Sequence, residues 1–594
     1  MNLTRNGRFD HWLNDIAKRP YLAAFLSILW LLFFGGVAFF WRSGSIGLVD
    51  ETEPLFAEAS RQMTVTGNWI TPYFNGETRF DKPALVYWLQ AIGYLTIGVN
   101  EWAVRLPSAL AAMGMVCLGF YTLYRYQQLQ DRLQEGSRAA KPWLTANLGA
   151  AIMALTPQTI AWARTGVSDM LLVGCMASAL LCFYLGYAEK SQRRVQQRWY
   201  LAFYILIGLA VLTKGPVGIV LPGLIIGAFL LYLGNFWQIW REMSVLRGLL
   251  IVALISIPWY VLVIWQNPQT FIASFFGYHN VERFTSVVNR HSAPWYFYFL
   301  VVLVGFAPWS IFLPLSIVKV RVWRRGWWQS QERDQQLGLF ALFWFAGVFM
   351  FFTIAVTKLP SYVLPLMPAA AILVTLLWSN TPKVEGKRRR GKTSRFLQIT
   401  CWANVVFLLI LGVAMLLITQ IIGDDPAMPN LKPMIQHMGL PIAGAVIWFA
   451  SAVSLSCFIL ARRPLASFGV NLAALLAFVL LVVMPASFVM DHERQLPLRE
   501  LSVLAGQVQQ PGEEIIMVGF KKPSVVFYSQ RPVTFIRRSN KAAEYLAQKA
   551  AKRATAESVL ILAQPKKFPE MGLQLSQYEN LRQVGAYQLI RVKT

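Results

Sequence analysis

The amino-acid sequence predicts an all-α polytopic membrane protein of about 13 transmembrane helices. Two interfacial helices are expected in its first outer loop, and a small α/β domain at its C-terminal end. Three observations carry this prediction. The 594 residues are 56% hydrophobic and only 14% charged, where a soluble chain carries about 25% charged residues. Apolar windows of about 20 residues, the length that crosses a bilayer, recur along most of the chain. The basic residues are sorted by position, with 28 of the 55 Lys and Arg in seven short segments between these windows. Neither a soluble globule nor a disordered chain has this make-up.

The elements follow in order. Residues 1–20 form a cytoplasmic N-terminus. The predicted spans are 21–41, 103–124, 143–162, 169–187, 199–213, 215–233, 247–266, 295–318, 337–357, 361–378, 397–419, 438–460 and 465–487. The first is long enough to remain as an anchor rather than a cleaved signal. The Lys/Arg-bearing segments 1–20, 125–142, 188–198, 234–247, 319–335, 379–396 and 461–464 lie inside by the positive-inside rule. That assignment holds only if 84–124 crosses once. The apolar stretch 84–98 therefore lies along the membrane, within a first outer loop of 42–102. The membrane unit is 21–487, and residues 488–594 finish outside.

In that tail, strand-like runs at Glu514–Phe520, Ser524–Ser529, Val533–Arg537, Ser558–Ala563 and Tyr587–Val592 alternate with helical patterns near 498–509 and 540–552. The five cysteines form no CxxC pair or Cys/His cluster, so neither a disulfide framework nor a zinc site is indicated.

A surplus of 26 positive charges first suggests a nucleic-acid partner. Their placement argues against one. The run Lys387–Arg390 lies between two spans, where it reads as a cytoplasmic loop beside anionic lipid. Sixteen basic residues belong to the tail. Eleven remain on the outer side or near outer span ends: Arg42, Arg61, Arg79, Lys82, Arg105, Arg164, Lys214, Arg283, Arg290, Lys358 and Lys432. These oppose the general bias, and ionisable groups near membrane depth are functional candidates. Several stand beside acids: Asp50, Glu51, Glu53, Asp81, Asp169 and Glu282. In the first outer loop, Glu51–Met63 reads as a short amphipathic helix, and Pro83 suits the first turn of the helix 84–98. Asp50 and Asp81 precede these helices, so both also read as caps.

The ordered motifs resemble a family. Asp50-Glu51 follows the first span. Then come Asp81-Lys82-Pro83 with Tyr87-Trp88, Asn100–Pro107, Arg164–Asp169, Leu212–Pro216, His279–Phe284 and Lys358–Pro365. Over about residues 20–380 they are similar to the bacterial aminoarabinose transferases and the protein O-mannosyltransferase-like enzymes. These are GT-C membrane glycosyltransferases that use polyprenyl-phosphate sugars.

The resemblance implies transfer of a sugar, with inversion at the anomeric carbon, from a polyprenyl (undecaprenyl) phosphate to a lipid, glycan or protein acceptor at the periplasmic face of the inner membrane, and it leaves the identity of the sugar open. A lipid A-type glycolipid is one such acceptor. It implies Lys82 and Arg283 as donor phosphate ligands, with Tyr362 hydrogen-bonding the same group. Lys214 and Lys358 join them as further cations at outer span ends, where snorkelling is the alternative reading. Asp50 is the expected base for a hydroxyl acceptor, and Asp169 the second catalytic carboxylate. Glu51, Asp81, Tyr87, Trp88, His279 and Asn280 are expected to line the substrate cavity. Asp81 with His279 is one reading of a divalent metal site, and a salt bridge from Asp81 to Arg79 or Lys82 is the other. The competing function is a flippase or transporter of the lipid-linked sugar. It requires polar residues through the bilayer midplane, whereas the ionisable residues here gather on one side.

Overall fold

The structure is a computed structural model that describes residues 15–132, 140–275, 293–379, 392–425, 427–461, 463, 466–552 and 558–593. Among the described residues, ten helices are long and apolar enough to cross a membrane. An eleventh span is formed if the bent pair Phe297–Gly305 and Trp309–Val320 counts as one. Two shorter helices, Lys141–Leu155 and Val217–Leu233, occupy the positions of two further predicted spans. Helices thus occupy the predicted positions, about 13 in all, and among the described residues ten or eleven of them reach full spanning length. Pro308 lacks an N–H, and the 114° bend lies where it interrupts the helix. The basic run Lys387–Arg390 lies outside the described residues.

The bundle is built around two inner helices. The apolar window of Ser168–Ala188 is wholly buried, and that of Pro360–Ser379 nearly so. Outer helices such as Val245–Gln266 leave most of their apolar surface uncovered, with Leu246, Leu254 and Trp265 exposed. That pattern suits a helix with lipid on one face.

The first outer loop holds two helices, Glu53–Thr66 and Leu85–Ile97. The second buries Tyr87, Gln90, Ala91 and Tyr94 and exposes Ile92 and Leu95, an arrangement suited to a membrane surface. Between them runs a small hairpin of β1 (Tyr73–Phe74) and β2 (Glu77–Thr78). Its turn residues Asn75 and Gly76 have φ of 53° and 83°. Positive values at both positions are what Asn-Gly accommodates in a tight hairpin turn.

The last span does not stop at the predicted domain edge. Helical structure runs from Ser467 to Val508 and carries the chain into the tail. There a five-stranded sheet has the order β4-β3-β5-β7-β6. Its strands are β3 (Glu514–Val518), β4 (Val533–Ile536), β5 (Ser558–Ala563), β6 (Tyr578–Val584) and β7 (Tyr587–Lys593). β4, β3 and β5 are parallel, and β7 and β6 complete the sheet antiparallel. Alternate residues of β3 face opposite layers. Ile515 and Met517 pack with Leu498 and Leu501, while Ile516 and Val518 pack with Ala542 and Leu546. Burial on both faces explains the unbroken apolar run of this strand.

One predicted strand is wrong: Ser524–Ser529 is a helix. Its β-branched and aromatic residues pack against the sheet and the helix Leu496–Val508, so tertiary burial overrides local propensity. β6, whose residues alternate irregularly and are largely exposed, had no strand signature.

Candidate functional site

The loop that carries Asp50 is moulded around one guanidinium. Arg105 is fully buried, and all five of its N–H groups are used. Two donate to Glu53 at 2.8 Å, and the others to the carbonyls of Ser43 (2.6 Å), Ile46 (2.9 Å) and Gly47 (2.8 Å). Glu53 also accepts from the Val49 N–H (2.8 Å) and the Gly166 N–H (2.7 Å). The second contact ties the first outer loop to the turn that launches the helix Ser168–Ala188. Asp50 and Asp169 are thereby held on two segments joined through one buried carboxylate.

Asp50 faces the tail domain. Its Oδ1 accepts from the Ser524 N–H at 3.0 Å and its Oδ2 from the Ser524 hydroxyl at 2.6 Å. Burial holds its pKa above the ordinary value, opposed by these two hydrogen bonds and by the charges of Lys522 and Arg494. The capping alternative for Asp50 is not what the structure contains, because Thr52 stands at the start of the helix Glu53–Thr66. Glu51 is exposed, 3.9 Å from Lys522, and lines a cavity of about 520 Å³ with Phe74, Arg79, Lys521 and Arg537.

A second group forms around Asp169. Lys214, at the end of the helix Arg193–Lys214, donates to its Oδ1 at 2.8 Å. Ser361 hydrogen-bonds to the same carboxylate, and Lys82 attracts it electrostatically. The Lys214 ammonium lies 5.7 Å from the centre of the Tyr362 ring. Lys82 is buried and donates to the carbonyl of Asp81 at 2.6 Å. Thus Lys82, Asp169, Lys214 and Tyr362 are brought together from four separate parts of the chain. Lys358 is placed differently. It donates to the carbonyls of Thr353 and Ala355, both at 2.8 Å, and so satisfies the end of the helix Leu337–Ile354.

Asp81 is engaged by Arg79 (2.5 Å) and by the Tyr87 hydroxyl (3.2 Å), the salt-bridge reading of this residue. Tyr87 is fully buried and stacks on Phe56, with ring centres 5.5 Å apart. It orients Asp81 and presents no open ring face. Trp88 donates to the carbonyl of Trp69 at 2.7 Å. His279, Asn280 and Arg283 lie outside the described residues. Among the described residues, no group of three or more His, Cys, Asp or Glu is placed to hold a metal.

The eleven outer cations do not share one task. Besides Arg105, Arg61 is paired with Glu58 at 2.8 Å and Lys432 with Asp424 at 2.7 Å. Arg164 donates to the carbonyl of Trp41 at 2.9 Å. Each has a local structural partner. Sequence reasoning missed Ser524, Lys522, Arg494 and Ser361. Ser361 lies inside a motif already marked by its neighbour Tyr362. The only sign of the other three was that the tail and the first loop share one side of the membrane.

Comparison with known proteins places these features. Residues 22–274 match the family described as dolichyl-phosphate-mannose-protein mannosyltransferase. Residues 508–594 match the C-terminal domain of cyanobacterial RgtA-type glycosyltransferases. A Pseudomonas fluorescens undecaprenyl phosphate-alpha-4-amino-4-deoxy-L-arabinose arabinosyl transferase is 28% identical over 467 residues, spanning 76% of this chain and 74% of the relative. An uncharacterised Aquifex aeolicus protein is 30% identical over 332 residues, 56% of this chain and 67% of the relative. The crystal structure of ArnT from Cupriavidus metallidurans bound to undecaprenyl phosphate superposes with a TM-score of 0.74. That match covers 96% of this chain and 97% of the other at 21% identity, and it establishes the fold.

Proposed function

The chain belongs to the bacterial GT-C membrane glycosyltransferases related to the aminoarabinose and protein O-mannosyl transferases, and on that premise we propose the following reaction. A sugar moves from undecaprenyl phosphate or a similar polyprenyl phosphate to a lipid, glycan or protein acceptor. Transfer occurs at the outer face of the inner membrane, with the N-terminus cytoplasmic and the tail domain periplasmic. The names of the arabinosyl transferases point to the undecaprenyl-phosphate donor, and a lipid A-type glycolipid is one acceptor within this reading.

The observation that carries this reading is the gathering of Lys82, Lys214 and Tyr362 around Asp169 at the outer ends of the spans. A departing polyprenyl phosphate carries negative charge, and preorganised cations stabilise it best where water is scarce. Asp169 holds Lys214 in place before the donor arrives. In the transfer step the acceptor oxygen bonds to the anomeric carbon. The bond from that carbon to the phosphate oxygen breaks, and its electron pair leaves with polyprenyl phosphate. The acceptor proton passes to Asp50 when the acceptor is a hydroxyl. A single displacement of this kind inverts the anomeric centre. It applies equally to a pentosyl or a hexosyl donor.

The test uses purified protein in lipid nanodiscs with a polyprenyl-phosphate sugar and candidate acceptors. Release of polyprenyl phosphate by the wild type and its loss in Asp50→Asn is the expected result. Movement of intact donor across vesicles, unchanged by Asp50→Asn, would instead identify a transporter and overturn the proposal.

A further inference from the structure

We propose that Ser524 is a positioning residue for Asp50, so that the tail domain completes the catalytic site of the membrane unit. The proposal rests on the reading of Asp50 as the base. Ser524 is separated from Asp50 by 474 positions, yet both of its donors reach the carboxylate, one to each oxygen. Two donors from one residue fix the tilt and rotation of the carboxylate plane, which a single hydrogen bond leaves free. Each oxygen keeps a lone pair with which to accept a proton. Ser524 is only 3% exposed, so water does not replace its hydroxyl at little cost.

The surroundings make this contact rigid. Ser524 begins the helix Ser524–Ser529, which packs on the tail sheet through Val525 and Val526. The neighbouring Tyr528 hydroxyl accepts from the Leu48 N–H and donates to Glu101, both at 2.9 Å. Phe527 joins Leu48, Ala57 and Val104 in a buried cluster. Residues 47–50 are thus held by the tail on one side and by Arg105 on the other. The charged and titratable groups facing Asp50 are Lys522 and Arg494 from the tail side, Tyr587 from β7, and its own neighbour Glu51.

A hydroxyl that donates to a carboxylate favours its ionised form. Removing it leaves burial less opposed, so the base is protonated up to a higher pH. Ser524→Ala keeps the backbone N–H contact, which preserves docking while removing one arm of the clamp. The experiment measures turnover of the polyprenyl-phosphate sugar across pH for wild type, Ser524→Ala, Ser524→Thr and Asp50→Asn. Asn75→Ala serves as a variant that disturbs only the docking of the tail.

Ser524→Ala is expected to lower kcat about tenfold or more with KM for the donor unchanged. Its acid limb should move up by roughly one pH unit. Ser524→Thr should restore both. An unchanged kcat and acid limb in Ser524→Ala would overturn the proposal, as would a loss that Asn75→Ala reproduces without moving the limb. Failure of Ser524→Thr to restore the limb counts against it too. Full turnover by Asp50→Asn would instead sink the reading of Asp50 as base, a separate and recognisable result.

Discussion

Asp50 illustrates how much a residue's surroundings add to its type. Its carboxylate is buried at the seam between the first outer loop and the tail, and burial raises its pKa above the ordinary 3.8. The folded state therefore binds this proton more tightly than the unfolded chain does. The stability contributed by the protonated form is complete below pH 3.8 and is lost as pH rises through the raised value. Thermal unfolding in detergent should show the wild type losing ground to Asp50→Asn over that window, and a flat difference would contradict it. As base, the same residue predicts a fall in turnover of about 10² to 10⁴ for Asp50→Asn, measured as released polyprenyl phosphate. Lys82→Ala and Lys214→Ala should each depress turnover strongly while the protein still folds. Lys358→Ala should instead act mainly on stability, because Lys358 caps the carbonyls of Thr353 and Ala355.

At the scale of elements, the loop 43–53 owes its shape to Arg105. An isolated guanidinium in this place would be prohibitive, but every donor is matched and Glu53 supplies the opposite charge at 2.8 Å. Breaking one partner of such a buried pair costs about 3–5 kcal/mol. Arg105→Ala should lower the unfolding temperature markedly and raise hydrogen exchange across residues 43–53. The sequence marked Arg105 as one of eleven functional candidates, since it stands on the outer side among motif residues. Its partner is 52 positions away, so the pairing was not readable locally. The helices around it were readable, because a bilayer demands long apolar stretches and sorts Lys and Arg to one side. The segment Ser524–Ser529 shows the limit. Six residues of mixed β propensity are too few for a helical period to appear.

At the scale of the whole molecule, the tail is docked rather than tethered. The hairpin turn reaches the outer edge of the sheet, where the Asn75 side chain donates to the carbonyl of Val533 and accepts from its N–H, both at 2.9 Å. Phe74 enters the apolar layer between the sheet and the helix Leu496–Val508. The Asp491 side chain accepts from the Gly47 N–H at 2.7 Å, and Arg499 meets Glu101 at 3.3 Å. Asn75→Ala should raise hydrogen exchange jointly in residues 73–78 and 533–536. A chain ending at residue 508 should still enter the membrane, because its spans are intact. It should show no turnover, because Ser524 and Lys522 are gone. Robust turnover by that shortened chain would mean that the tail is dispensable.

The sequence by itself determined that this is a multi-pass membrane protein. It located the helices, the two-helix first outer loop and the strand-bearing tail, and it marked Asp50, Lys82, Asp169, Lys214 and Tyr362. The spans, loops and tail arise from local physics, because apolar length, charge sorting and residue type are written along the chain, whereas the marked residues owe their expected roles to the resemblance of the ordered motifs to a family. Only the tertiary structure decided which charges pair with one another. It gave Arg105 to Glu53 and Lys214 to Asp169, and it set the Asp50 carboxylate against Ser524. Whether a buried charge is stabilised depends on distances of about 3 Å between groups that the chain separates widely, and spacing along a sequence does not encode those distances.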